Sequence, residues 1–186
     1  MTPQAEYRLL FLTLVVLGLW IVAWATGVTG RFTPESIGSL LSGRGLWGVV
    51  AFITVFSAGQ LLRVPSVVFV AAAVAVYGRN SGIHVALLGA LVSANLSFAV
   101  IRALAGQALA DIQRPLIRRL LTNIDTRPVL TVALLRLIFQ TAPPLNYALP
   151  MTAVRWRDHL VGSALGLPVP VIVMSFFFHR LFDRSV

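Results

Sequence analysis

Six stretches of fifteen or more residues run without a charged side chain, at 9–30, 45–62, 64–78, 80–101, 137–154 and 160–178, and what interrupts each decides what it builds. A helix crosses the hydrocarbon of a bilayer in about 20 apolar residues. Residues 9–30 meet that length between Arg8 and Arg31. Residues 80–101 and 160–178 meet it without an internal breaker cluster, although Pro168 and Pro170 predict a kink in the last. The stretch LIFQTAPPLNYALPMTAV at 137–154 is of another kind. Residues 129–139 and 145–154 flank Thr141-Ala142-Pro143-Pro144. At about 1.5 Å rise per residue, each of these flanks covers roughly half the hydrocarbon depth. Either half enters a bilayer and neither crosses it, so the pattern predicts a re-entrant hairpin with prolines at its tip. Non-helical backbone at membrane depth is tolerated only where protein or a water-filled cavity covers it, which calls for an enclosing partner.

A second copy of the same pattern supplies one. Leu61-Leu62-Arg63 recurs as Leu134-Leu135-Arg136 at an offset of 73, with Gly89 recurring as Gly162 and Ser93 as Gly166. Each triplet is followed by proline, Pro65 in the first and Pro143 and Pro144 in the second. A short amphipathic stretch precedes each. Thr33-Pro34-Glu35 reads as a helix start, with Ile37, Leu40 and Leu41 on one face. Leu109, Ile112, Leu116 and Leu120 recur opposite Asp111, Arg114 and Arg118, the pattern of a helix lying in the membrane interface.

The expected fold is therefore an all-α polytopic membrane protein. One N-terminal transmembrane helix, residues 1–32, precedes a membrane domain, residues 33–186. In that domain an interfacial helix, a re-entrant hairpin and a transmembrane helix occur twice, over 33–105 and 106–182. One crossing per unit inverts the second relative to the first, so the two hairpins dip from opposite faces and their tips can meet near the midplane, as in many secondary transporters.

Composition agrees with a membrane setting: 58% of the 186 residues are hydrophobic and 11% charged, against about 25% charged in ordinary soluble domains. All 15 basic residues are arginine, and they bracket apolar segments rather than forming one basic face. The formal charge of +9 thus points to anionic lipid headgroups as partners and not to nucleic acid. With the N-terminus in the cytoplasm, Arg102, Arg114, Arg118, Arg119 and Arg127 fall inside, as the positive-inside rule asks. Ala23-Trp24-Ala25 has the form of a signal cleavage site. The length of the first segment, and Trp20 and Trp24 as interfacial residues, favour an uncleaved anchor.

Arg63 and Arg136 are the candidate functional pair, each set in apolar sequence. An arginine at the centre of a spanning helix costs roughly 2.5–3.5 kcal/mol on insertion scales, so each needs a compensating interaction. One reading is a site for an anionic group such as a lipid phosphate; the other is capping of carbonyls that proline leaves unpaired. Asn95 in the helix 80–101 reads as an interhelical hydrogen-bonding residue, whereas Asn146, Gln60 and Gln140 lie beside the tips and either bond backbone or line a path. Gly89, Ser93 and Ser97, like Gly162 and Gly166, form small-residue packing faces.

Enzyme signatures are missing. His84, His159 and His179 lack metal-ligand spacing, Asp158-His159 reads as solvated interface, and no phosphate loop, nucleophile elbow or paired carboxylates occur. The absence of cysteine rules out disulfides and thiolate chemistry. No enzyme activity, cofactor or metal is expected.

The order of features resembles the DedA superfamily in its VTT-domain branch, also called SNARE-associated Golgi proteins, from about residue 34 to residue 182. The most specific stretches are Arg63-Val64-Pro65 and the small-residue run to Tyr77-Gly78, then Phe98 to Arg102, then Arg136 with Pro144, Asn146 and Tyr147, then Gly166-Leu167-Pro168. The resemblance implies two opposed re-entrant hairpins and lipid movement: phospholipid scrambling in eukaryotic relatives, and recycling of undecaprenyl phosphate across the inner membrane in some bacterial ones. DedA proper members carry acidic residues in the first hairpin, linked with proton dependence, and this chain has none there. A glycine usual after the Asn-Tyr pair is replaced by Pro150, and a proline usual after the second arginine by Phe139.

The expectation is a lipid transporter or scramblase of a bacterial inner membrane. Its transport residues are Arg63, Pro65, Arg102, Arg136, Pro143, Pro144, Asn146 and Tyr147. A small-anion or solute transporter and a non-transporting membrane scaffold are the alternatives.

Overall fold

The computed structural model describes Ile21 and residues 45–106 and 126–183. The expected first membrane segment, the two amphipathic stretches and Arg114, Arg118 and Arg119 therefore lie outside the described residues. Among the described residues every regular element from residue 45 on is a helix: α1 Gly45–Leu61, α2 Ser66–Ala105, α3 Pro128–Phe139, α4 Pro143–Met151, α5 Trp156–Gly166 and α6 Pro168–Asp183.

Turns and close contacts fix the path of the chain. α1 ends at Leu61, and α2 starts after Pro65 with the two helices side by side, a Cβ on Gly59 meeting the ring of Phe69. Phe56 and Phe69 stack across this pair at 4.4 Å between centroids, with Phe52 edge-on to both. α2 is interrupted at Gly78, where φ is 72° and ψ 177°, a backbone that only glycine adopts at no steric cost. A Cβ on Gly82 would lie 2.9 Å from the Cα of Val74, so the chain doubles back at Gly78 and does not merely bend. The second arm, 79–105, then runs beside α1, where Gly89 lets the rings of Phe52 and Phe56 approach within 2.8 Å of where its Cβ would stand. At about 1.5 Å per residue that arm is about 40 Å long, enough to cross a bilayer.

In the second half the two short helices lie on different neighbours, α3 on α5 and α4 on the long arm of α2. α3 and α4 are joined by a turn at 140–142, and α4 leads through Thr152 and Ala153 into α5. Gly162 faces Val129 and Val132 while Gly166 faces Ala133 and Arg136. Both numberings rise together, so α3 and α5 run parallel. Pro168 has no N–H for the Ala164 carbonyl and Pro170 none for Gly166, and the last helix breaks at Leu167, as expected. α5 and α6 together, Trp156–Leu181, are long and apolar enough to cross a membrane.

The long arm of α2 and α5 are antiparallel, since Arg102 bonds the carbonyl of Val154, Asn95 meets His159, and Leu87 and Leu91 share a groove with Ser163 and Leu167. Each helix pair starts at the same end as the long segment beside it. The two pairs therefore enter the bundle from opposite ends.

Candidate functional site

The two inter-helix turns meet, and the groups that join them are polar. Gln60 Nε2 donates to Thr141 Oγ1 at 3.1 Å, Asn146 Nδ2 donates to Gln60 Oε1 at 2.6 Å, and the Tyr147 hydroxyl donates to the Leu61 carbonyl at 2.9 Å. Gln60, Thr141 and Asn146 are all buried. Both turns hold a side-chain-bearing residue in a left-handed backbone, Arg63 with φ 63° and Gln140 with φ 51°.

In the first turn this is a Schellman ending of α1: Arg63 N–H bonds the Gln60 carbonyl at 3.2 Å and Val64 N–H the Gly59 carbonyl at 2.8 Å. Arg63 thus occupies the position after the helix end that glycine usually fills. Its side chain is exposed. Pro65 caps the start of α2, Pro143 stands at the first position of α4, and Pro65 and Pro144 are exposed.

Arg136 is placed otherwise. It sits inside α3, one turn before Gln140, and is 0% exposed. Its Nη1 donates to the Gln140 carbonyl at 2.9 Å and to Asn146 Oδ1 at 2.7 Å, its Nε to Ser163 Oγ at 3.3 Å, and its Nη2 to His159 Nε2 at 2.9 Å. A guanidinium only donates, so His159 Nε2 is the lone-pair nitrogen. The imidazole proton is therefore on Nδ1, directed at Asn95 Oδ1 3.1 Å away, and Asn95 Nδ2 in turn donates to the Leu91 carbonyl at 2.8 Å. Hydrogen bonds thus run outward from Arg136 in two directions, through His159 to Asn95 on the long arm of α2 and through Asn146 to Gln60 on α1. All partners of the Arg136 cation among the described residues are neutral.

Two expectations need correction. Arg63 and Arg136 are not equivalent. In the first turn the residue with positive φ is Arg63 itself, whereas in the second it is Gln140, four residues after Arg136. One arginine stands in a turn and faces out; the other lies a helical turn back and faces in. His159 is not solvated interface: it is 1% exposed and packed on the Phe98 ring at 4.4 Å. Its role was legible in part, because His159 and Ser163 lie four apart beside Gly162 and Gly166, on the face that packing requires to be small.

Arg102 lies apart from the turns. Its Nε donates to the Pro150 carbonyl, and its Nη2 to the carbonyls of Thr152 at 3.0 Å and Val154 at 2.7 Å, with its guanidinium 4.9 Å from the Phe98 ring centre. These are carbonyls at and beyond the C-terminus of α4, where a cation also meets the negative end of the helix dipole.

An apolar groove of about 280 Å³ opens at the side of the bundle between the long arm of α2 and the proline break, lined by Leu87, Leu88, Leu91, Ser163, Ala164, Leu167 and Pro168. Its floor includes the serine that holds Arg136.

Long apolar helices, a proline-broken interior and a buried polar centre define a polytopic helical membrane protein. The family model of the VTT domain matches residues 64–180, more than half of the chain, and the chain belongs to that family, the DedA/VTT proteins. No curated protein and no solved structure matches it.

Proposed function

We propose that this protein moves lipid, a phospholipid or a polyprenyl phosphate, between the leaflets of a membrane. In this reading the pairs α1 with the first arm of α2, and α3 with α4, are re-entrant hairpins entering from opposite faces, and the headgroup passes where their tips meet. The observation that carries the reading is Arg63: an exposed guanidinium, held in a backbone conformation that favours glycine, in the turn that meets the other helix pair. An arginine there is costly in a bilayer, and an anionic headgroup compensates it. The groove at Leu87 to Pro168 supports lipid over a water-soluble solute, because it opens sideways and its lining is mostly leucine, so acyl chains can stay in hydrocarbon. No bond-making chemistry is part of this reading.

The test is flip-flop of labelled phospholipid in vesicles reconstituted with the purified chain. Protein should raise the rate well above that of empty vesicles, and Arg63→Gly should return it to the empty-vesicle rate without loss of folded yield. Equal rates in protein-containing and empty vesicles would end the proposal.

A further inference from the structure

The two hairpins are joined to each other differently from how they are joined to everything else. α1 and the first arm of α2 share a large apolar cluster with the long arm of α2 and with Leu167 and Val171. α3 and α4 pack through Val132, Leu149 and Met151 onto Phe98, Ile101 and Ala105. None of these clusters contains residues of both hairpins. Among the described residues what bridges them is the polar seam of Gln60, Thr141, Asn146, Tyr147 and the Leu61 carbonyl, with three hydrogen bonds. Apolar packing between two bodies would resist separation in proportion to the area lost. A hydrogen bond can be exchanged for one to water or to a ligand at small net cost, so this seam is the place where the molecule parts most easily.

The two arginines stand on either side of it. Arg63 is exposed on the outer side, and Arg136 lies directly behind Asn146 at 2.7 Å. Breaking the bond between Asn146 and Gln60 bares the Asn146 amide and, behind it, a cation whose present partners are all neutral. We propose that the seam is a gate, closed in the conformation described here, and that an anionic headgroup drawn to Arg63 opens it by taking over the hydrogen bonds of Asn146 and Gln60. The inference rests on the lipid-transport reading for its ligand but not for its motion.

Gln60→Ala removes two of the three bridging bonds and leaves Asn146 bonded to the Thr141 carbonyl and to Arg136. It should shift the equilibrium toward the parted state by about tenfold, and in vesicles containing phosphatidylglycerol it should speed flip-flop where a merely structural loss would slow it. The chain has no cysteine, so Ala58→Cys with Phe139→Cys, both exposed residues beside the tips, can carry two spin labels. In nanodiscs of phosphatidylcholine, the distance between them should show one major population, and a longer one should grow with Gln60→Ala or with added phosphatidylglycerol. Inorganic phosphate alone separates a free anion from a lipid headgroup as the opening ligand. Cross-linking Gln60→Cys to Thr141→Cys should stop flip-flop until the link is reduced. A single distance unchanged by Gln60→Ala and by anionic lipid, or full flip-flop in the cross-linked protein, would overturn the gate. If the distances respond while no variant moves lipid, the transport reading fails and the gate stands.

Discussion

At the scale of single residues, two arginines that look alike in sequence have opposite physical situations. Arg63 has φ 63°, a backbone that costs an L-residue roughly 1–2 kcal/mol and glycine almost nothing. Arg63→Gly should therefore leave the melting temperature unchanged or raised, even as it abolishes lipid movement; a fall of several degrees in detergent would show that the side chain holds the fold. Arg136 is the reverse case. Arg136→Leu strands the half-buried Gln140 carbonyl and two buried acceptors, Asn146 Oδ1 and His159 Nε2, each of the latter costing about 1–3 kcal/mol. We expect a loss of about 3 kcal/mol or more, read as a large drop in thermal midpoint, with Arg136→Lys intermediate because an ammonium has three donors where the guanidinium has five.

At the scale of helices, the sequence revealed the breaks and misjudged their register. Proline cannot donate, so the turn before Pro143 and the kink at Pro168 follow from residue type alone, and the observed ends of α3, α4 and α5 lie close to the expected ones. Gly78 is another matter: a lone glycine among apolar residues does not say whether the chain bends or reverses, because φ is free at glycine. Leu-Leu-Arg occurs letter for letter in both places, but the first arginine lies in a turn and the second a helical turn before one, and that difference moves an arginine from the outside to the inside. His159 reads as solvated in the sequence because a lone histidine beside an aspartate looks wet until the helix packed against it is known. Small residues remain the firmest inference. A Cβ on Gly166 would stand 2.7 Å from the Cβ of Arg136 and 2.9 Å from the Cα of Ala133. Gly166→Ala should thus cost about 1–3 kcal/mol through overpacking, and thermal melting would show it.

For the whole molecule, the running directions of the helices carry a prediction about sidedness. Trp47 near the start of α1 is 78% exposed and Trp156 at the start of α5 is 51% exposed, and the two lie at opposite ends of the bundle. Both suit the headgroup level, where amphipathic rings collect. With no native cysteine, Trp47→Cys and Trp156→Cys can each be probed by a membrane-impermeant maleimide in sealed vesicles. Labelling should come from opposite sides, and labelling of both from one side would contradict the opposed hairpins.

The bonds between the tips also bear on how the chain is made. Gln60 finds its partners 81 and 86 residues further along, which at roughly 5–20 residues per second leaves about 4 to 17 seconds of synthesis between them. During that interval the first half, already shaped by its own phenylalanines, carries an amide with nowhere to bond. Either water must follow it into the nascent bundle or the insertion machinery must shelter it until the second half arrives.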